Sequence, residues 1–286
     1  MKTVFIAGAT GYLGRHLCEE YHQRGWYVMA LVRNAERARG VTADQLIEAE
    51  ATRPETLVGT MSGADLVISA LGITRQADGL RYWDVDFQAN VNLLREAEAA
   101  GVRRFAYIHV LNAGAMSDVP LVAAKAAFVE ALADSPLRAT VIAPSGYFSD
   151  MEDILAMAQA GRVWLFGDGG CRINPIHGAD LACASAEAIA EGRDWLDVGG
   201  PDVLTLAEIA GLAFACVGAR SRITYVPDLL RRAALRLLPW ITPRKIHGPA
   251  QFFLSAMAQD MVGERHGTRR LKDHFADIIN AERSLS

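Results

Sequence analysis

Apolar positions in the first half of the chain fall into short β-branched runs separated by longer stretches with a helical repeat. Residues 4–7, 26–32, 46–48, 65–70, 104–110 and 139–142 read as strands. Between the first two, Leu13, Leu17 and Tyr21 recur at i, i+4 and i+8, and Gly25 stands where a helix would stop. Residues 83–100 carry Phe87, Val91 and Leu94 on one helical face and end at Gly101. Strands and helices alternating in this way predict an α/β fold, a doubly wound parallel sheet spanning 1–145. After Pro144 the elements shorten: a helix over 150–160, a Gly-rich turn over 167–170, a helix over 179–190 and a strand at 195–198 placed to rejoin the first sheet. Asp180 reads as the N-cap of the second of these helices, with His177 positioning its loop. Thr205 and Glu208 form a capping-box pattern opening a helix that ends near Val217, and 223–226 reads as a strand. From Leu229 onward helices are expected, interrupted at Pro239, Pro243 and Pro249. Residues 146–286 are thus a smaller C-terminal α/β part suited to substrate binding.

Composition narrows the function classes. Apolar residues make up 51% and charged residues 22%, which excludes a disordered chain, and a net charge of −4 leaves no global positive field for nucleic acid. Cys18, Cys171, Cys183 and Cys216 lack the spacing of a metal site, so no metal is expected, and they read as reduced thiols of a cytoplasmic protein. The apolar start, residues 3–7, is broken by Gly8, too short for a secretion signal, and no run approaches the ~18 apolar residues of a spanning helix. One local exception to the acidic balance is 229–245, where leucines alternate with Arg231, Arg232 and Arg236 and are followed by Trp240, Arg244 and Lys245. Two readings stand: a helix with a solvated basic face, or weak peripheral contact with an anionic membrane.

Directly after the first strand comes Gly8-Ala9-Thr10-Gly11-Tyr12-Leu13-Gly14. A pyrophosphate requires a tight turn, close backbone approach and the free N–H groups of a helix N-terminus, and this loop between strand and helix offers all three. The next strand ends at Arg33, where selection for NAD would put a carboxylate on the ribose. A guanidinium there favours the 2′-phosphate of NADP(H), with Arg37 or Arg39 assisting. Glu50 and Ala51 follow the third strand, beside the adenine, and Ala70, Leu71 and Gly72 follow the fourth, beside ribose and phosphates.

On GATGYLG at 8–14, LVRN at 31–34, DFQANVNLLREAEAAGVRRFAYIHV at 86–110, Lys125, APSGYF at 143–148 and NPIHGADLA at 174–182, the chain resembles the NmrA-like, NAD(P)H-binding branch of the atypical short-chain dehydrogenases/reductases, which includes isoflavone-reductase-like enzymes and divinyl chlorophyllide reductases. The resemblance implies a Rossmann fold, an NADP(H) cofactor and a site in which a Tyr-x-x-x-Lys pair handles the substrate proton. Lys125 matches the lysine, but Leu121 stands four residues before it and His109 replaces the serine after the fifth strand. Isoflavone-reductase-like proteins also lack the tyrosine and reduce activated bonds with the lysine. The candidates for proton chemistry are therefore Lys125, His109 and Tyr147, the last following the Pro144-Ser145-Gly146 segment that in the family passes beside the nicotinamide. The expected function is an NADPH-dependent reductase of a small or amphiphilic substrate, at an activated C=C or C=O bond. The alternative is a non-catalytic NADP(H)-binding redox sensor or assembly factor that acts on a protein partner.

Overall fold

The structure is a computed structural model and describes residues 1–73 and 79–285. In chain order the elements are β1 (Thr3–Ala7), α1 (Tyr12–Gln23), β2 (Tyr27–Val32), β3 (Gln45–Glu48), β4 (Leu66–Ser69), a π-helical turn (Trp83–Ala89) running into α2 (Asn90–Ala99), β5 (Arg104–Ile108), α3 (Pro120–Ala133) and β6 (Arg138–Pro144). There follow α4 (Glu152–Gln159), β7 (Val163–Phe166), β8 (Arg172–Ile173), α5 (Gly178–Glu191), β9 (Trp195–Gly199), β10 (Leu204–Thr205), α6 (Leu206–Val217), β11 (Ile223–Val226), α7 (Asp228–Ile241), α8 (Arg244–Ala256), β12 (Glu264–Arg265) and α9 (Leu271–Leu285).

The chain divides into two compact units, Met1–Ala143 with Ala182–Leu196, and Pro144–Leu181 with Asp197–Ser286. The first unit therefore takes back most of α5 and the start of β9, beyond the 1–145 span expected from the sequence. Its strands run in the order β3-β2-β1-β4-β5-β6 and pair in parallel, with Val4 between Val28 and Leu66 and Ile68 beside Ala106. The order reverses direction between β1 and β4, the place where such sheets open a crevice at their carboxyl ends. β9 continues the sheet beyond β6: Val141 N–H donates to Asp194 O and Ser145 N–H to Val198 O, advancing in step as parallel pairing requires. β12 pairs with the end of β9, making the eighth strand.

The sheet's strands are nearly continuous apolar runs because both faces are covered, and Phe5, Val67, Phe105, Tyr107 and Phe128 meet in one core cluster of this unit. The second unit has its own core, where Phe148, Leu155, Val163, Phe214 and Phe275 are buried together. Its strands β7, β8, β10 and β12 escaped the sequence pattern because they are only two to four residues long, too short to show a two-residue alternation. The capping box at Thr205 is formed as expected, with Thr205 N–H donating to Glu208 Oε2 at 2.7 Å and Glu208 N–H to Thr205 Oγ1 at 3.1 Å. Two expectations are corrected. Pro239 and Pro249 lie inside α7 and α8 without ending them, each removing one donor. Asp180 sits within the first turn of α5 and does not cap it; Ala179 N–H donates instead to His177 Nδ1 at 3.1 Å. Asp180 accepts from the backbone of Thr268 and Arg269 and pairs with the Arg269 guanidinium, so it ties α5 to the approach to α9.

Asn174 holds the second unit's loops together. Fully buried, it donates through Nδ2 to Gly200 O at 3.1 Å and Gly263 O at 3.0 Å, and its Oδ1 accepts from Gly263 N–H at 2.9 Å. Truncation leaves these buried groups orphaned, each at about 1–3 kcal/mol, so Asn174→Ala should lower the unfolding free energy by about 3 kcal/mol or more in denaturant titration. A loss below about 1 kcal/mol would mean that water replaces the amide without cost.

Candidate active site

The Gly-rich loop is built by backbone contact too close for side chains. Gly8 has φ +81°, and a Cβ on it would come within 2.6 Å of Ala70 O; a Cβ on Gly14 would come within 2.0 Å of Gly8 O. Gly11 N–H donates to Gly8 O at 2.9 Å, closing the turn, and α1 begins at the next residue. β1 and β4 are thereby drawn together at their ends, and the amides of the first turn of α1 are left without intrahelical partners, as an anion site needs.

Around this loop lies a cavity of about 650 Å³ within the first unit. It is bordered by Gly8, Thr10 and Gly11; by Arg33, Asn34 and Arg37 after β2; by Glu50 and Ala51 after β3; and by Ala70, Leu71 and Gly72 after β4. Arg37 N–H donates to Asn34 Oδ1 at 2.9 Å, which folds the segment after β2 so that both Arg33 and Arg37 border the cavity. Asn92 of α2 donates to Ala51 O at 2.9 Å and fixes the opposite lip. Leu13 is buried, Gly14 packs on Gly8, and Tyr12 meets His16 edge to face at 5.4 Å. Pro144, Ser145 and Tyr147 belong to the second unit. There Ser145 Oγ donates to Asn174 O at 2.6 Å, and Tyr147 N–H donates to Asp150 Oδ2 at 2.9 Å.

Beyond Gly72 the cavity wall meets a buried polar network that the apolar pattern concealed. A regular helix over 83–100 would bury Phe87 and Val91, but the π-helical turn inserts extra residues per turn and shifts the phase, so Val85, Asp86, Ala89 and Asn90 face inward. Asp86 has no exposed surface. Its Oδ1 stands 3.4 Å from Lys125 Nζ on α3, and its Oδ2 accepts from Ile73 N–H at 3.3 Å. Lys125 Nζ donates to Ile108 O at 3.1 Å and lies 5.1 Å over the Tyr107 ring. A Cβ on Gly72 would approach Asp86 Oδ1 to 2.7 Å and Lys125 Nζ to 3.1 Å, so glycine alone lets the loop pass over this pair. Asn90 secures the turn, its Nδ2 donating to Val85 O at 3.1 Å and Asp86 O at 3.0 Å while its Oδ1 accepts from the buried Ser69 hydroxyl. In the sequence Asp86 and Asn90 stand in a run, 83–92, where polar and apolar residues alternate, which hides them from a helical reading.

Burial sets the charges. It pushes the Asp86 carboxyl up to about 6, although the Lys125 ammonium and the Ile73 amide pull it back down. The Tyr107 phenol is raised well above its ordinary range by burial and by Asp86, so it stays un-ionised. His109 is pushed down to about 3 by burial and then by Lys125; its imidazole is neutral, packed against Trp195 at 5.8 Å, with Nδ1 lacking a hydrogen-bond partner among the described residues. Leu121, where the tyrosine of a Tyr-x-x-x-Lys pair would stand, is buried at 4% exposure.

A family profile described as NAD(P)H-binding matches residues 8–164, more than half of the chain. The chain belongs to this NAD(P)H-binding family. Its α/β sheet is a Rossmann fold. Among curated proteins it is similar to the photosystem II assembly factor Ycf39 of Synechocystis, 27% identical over 83% of this chain and 75% of that protein. It is also 29% identical to the chloroplastic divinyl chlorophyllide a 8-vinyl-reductase of Zea mays over 82% of this chain, which spans 64% of that protein's length. In fold it matches the Escherichia coli NADPH-dependent quinone oxidoreductase QOR2 complexed with NADPH (TM-score 0.77, 21% identity, 97% of this chain and 100% of that one). The triphenylmethane reductase of Citrobacter sp. complexed with NADP(H) is a further fold neighbour (TM-score 0.71, 18% identity, 96% and 95%). The cradle without Cβ atoms at Gly8 and Gly14 fits the family's dinucleotide.

A carboxyl raised on folding holds its proton where the unfolded chain has lost it. Asp86 therefore contributes most to stability below about pH 4, its unfolded value, and its contribution falls as pH rises through about 6. Asp86→Asn deletes this titration, so the variant should gain on the natural protein across that interval in denaturant titrations and run parallel to it above about pH 7. Parallel curves throughout would show that the Asp86 carboxyl titrates at its ordinary value in the folded protein.

Proposed function

We propose that the chain is an NADPH-dependent reductase that delivers hydride to an electrophilic carbon of a small or amphiphilic substrate, at an activated C=C or C=O bond, with Lys125 handling the proton. The observation that carries this reading is the Lys125 ammonium packed behind Gly72 of the cavity wall, only 14% exposed and held against a fully buried carboxylate, while Leu121 occupies the place of the usual phenol. A charge kept at such desolvation cost is worth keeping where charge develops during reaction. Bound nicotinamide supplies the hydride. Asp86, Ile108 O and the Tyr107 ring hold Nζ in place, and that ammonium can donate to the oxygen or carbanion that hydride transfer creates. His109, neutral and buried, is left to position or wall the site rather than to act as a cationic acid, and Tyr147 is the remaining donor to test.

Selection of NADPH over NADH rests on Arg33 and Arg37, which border the cavity after β2. Charge-assisted pairing with a 2′-phosphate contributes about 1.5–3 kcal/mol, so Arg33→Ala should weaken NADPH about ten- to a hundredfold in calorimetric titration and leave NADH nearly unchanged. Equal affinity for both cofactors in the natural protein would refute the selection.

The second reading, a cofactor-binding assembly factor, is favoured by the buried Leu121 and by the likeness to an assembly factor over most of the chain. Lys125→Met separates the two. For a reductase, turnover of an enone or quinone substrate at saturating NADPH should fall about 10²–10⁴-fold, the loss expected for a general acid. Firm NADPH binding with no substrate-dependent oxidation across enones, quinones and aldehydes would leave the assembly reading.

A further inference from the structure

We infer that α7 is an interfacial helix that docks this protein on an anionic lipid surface. An ordinary surface helix buries its apolar stripe and exposes its charges. α7 leaves an apolar stripe exposed instead. Trp240 is 87% exposed, Leu229 75%, Ile241 73%, and Leu230 and Leu237 each 56%, and at 100° per residue these five fall within one third of the helix circumference. The inward side carries Arg231, whose side chain is nearly buried: Nε pairs with Asp228 Oδ1 at 2.6 Å and Nη1 donates to Leu254 O of α8 at 3.2 Å. No residue of α7 is fully buried.

The charge around the stripe decides what covers it. Arg232 and Arg236 are exposed along one edge of the stripe, and Arg220 and Arg222 are exposed just before β11. Between residues 220 and 241 the sequence holds five arginines and one acidic residue, Asp228, which already bridges Arg231 and Arg232, in a chain whose net charge is −4. An apolar stripe ending in tryptophan and edged by arginine matches the layered chemistry of a bilayer surface: acyl chains below, headgroup level at the indole, phosphates at the guanidinium groups. A second copy of the chain fits less well, because antiparallel pairing of two such helices sets the arginine edge against itself. Among the described residues no helix is long and apolar enough to cross a membrane, so the contact is peripheral.

The test is co-sedimentation of the full chain with vesicles of phosphatidylglycerol and phosphatidylcholine in about a one-to-two ratio, against phosphatidylcholine alone. The protein should sediment with the anionic vesicles at low salt, bind at least about tenfold less at 0.5 M salt, and stay with the supernatant over phosphatidylcholine. Leu237→Asp with Trp240→Ser should abolish binding while the thermal unfolding transition and NADPH affinity are retained. Should that pair disturb folding, Arg232→Glu with Arg236→Glu leaves the stripe intact and should still weaken binding at least about tenfold. A natural protein that stays in the supernatant at low salt overturns the inference, as does undiminished binding by either pair. Self-association in light scattering that Leu237→Asp breaks, without vesicle binding, would assign the stripe to a second copy.

Discussion

Everything distinctive about this site follows from one constraint: a carboxylate cannot be buried without something to hold its charge. Asp86 is fully buried, and the partners that make it tolerable are the Lys125 ammonium and the Ile73 amide. Those partners come from different elements, α3 and the segment after β4, so satisfying one charge fixes the end of the cavity against the core. The π-helical turn is what aims Asp86 inward, and Ser69 and Asn90 spend their own hydrogen-bonding capacity on keeping that turn closed. Replacing the pair by apolar residues of similar volume would cost little stability by general experience, so stability alone does not account for it.

The same reasoning joins the two ends of the cleft. At one end the dinucleotide cradle exists because Gly8, Gly14 and Ala70 approach closer than any Cβ permits; at the other, Gly72 gives way to Asp86 and Lys125 for the same reason. Between them the lips after β2 and β3 are set by short-range bonds, Arg37 to Asn34 and Asn92 to Ala51. Local backbone chemistry thus determines where a cofactor lies, and long-range charge pairing determines what it meets.

These two classes of determinant differ in how legible they are in the sequence. The first-half strands, the glycine loop, Arg33, Glu50 and Gly72 could be read from the chain because each expresses a short-range requirement: a turn, a close approach, a strand end. Asp86 and Asn90 could not, since a reading at 3.6 residues per turn centres the inward face on Phe87 and Val91, whereas the π turn's change of phase buries Asp86 and Asn90 and leaves Phe87 and Val91 partly buried against the core. In α7 the amphipathic pattern was legible, but not which side of the helix faces out. Leu229, Leu237 and Trp240 are amphipathic in sequence whichever way the helix faces, and only packing against α8 shows that Arg231 is the side turned in.

Beside the cofactor cleft the Lys125 ammonium holds the buried Asp86 carboxyl below the value that burial alone would give it. Carbon NMR of selectively labelled aspartate tests it most directly, by titrating the Asp86 carboxyl in the natural protein and in Lys125→Met. A midpoint near 6 is expected, moving upward once the ammonium is gone, because only the Ile73 amide then opposes desolvation. A midpoint at the ordinary value near 4, or one that Lys125→Met leaves unmoved, would contradict it.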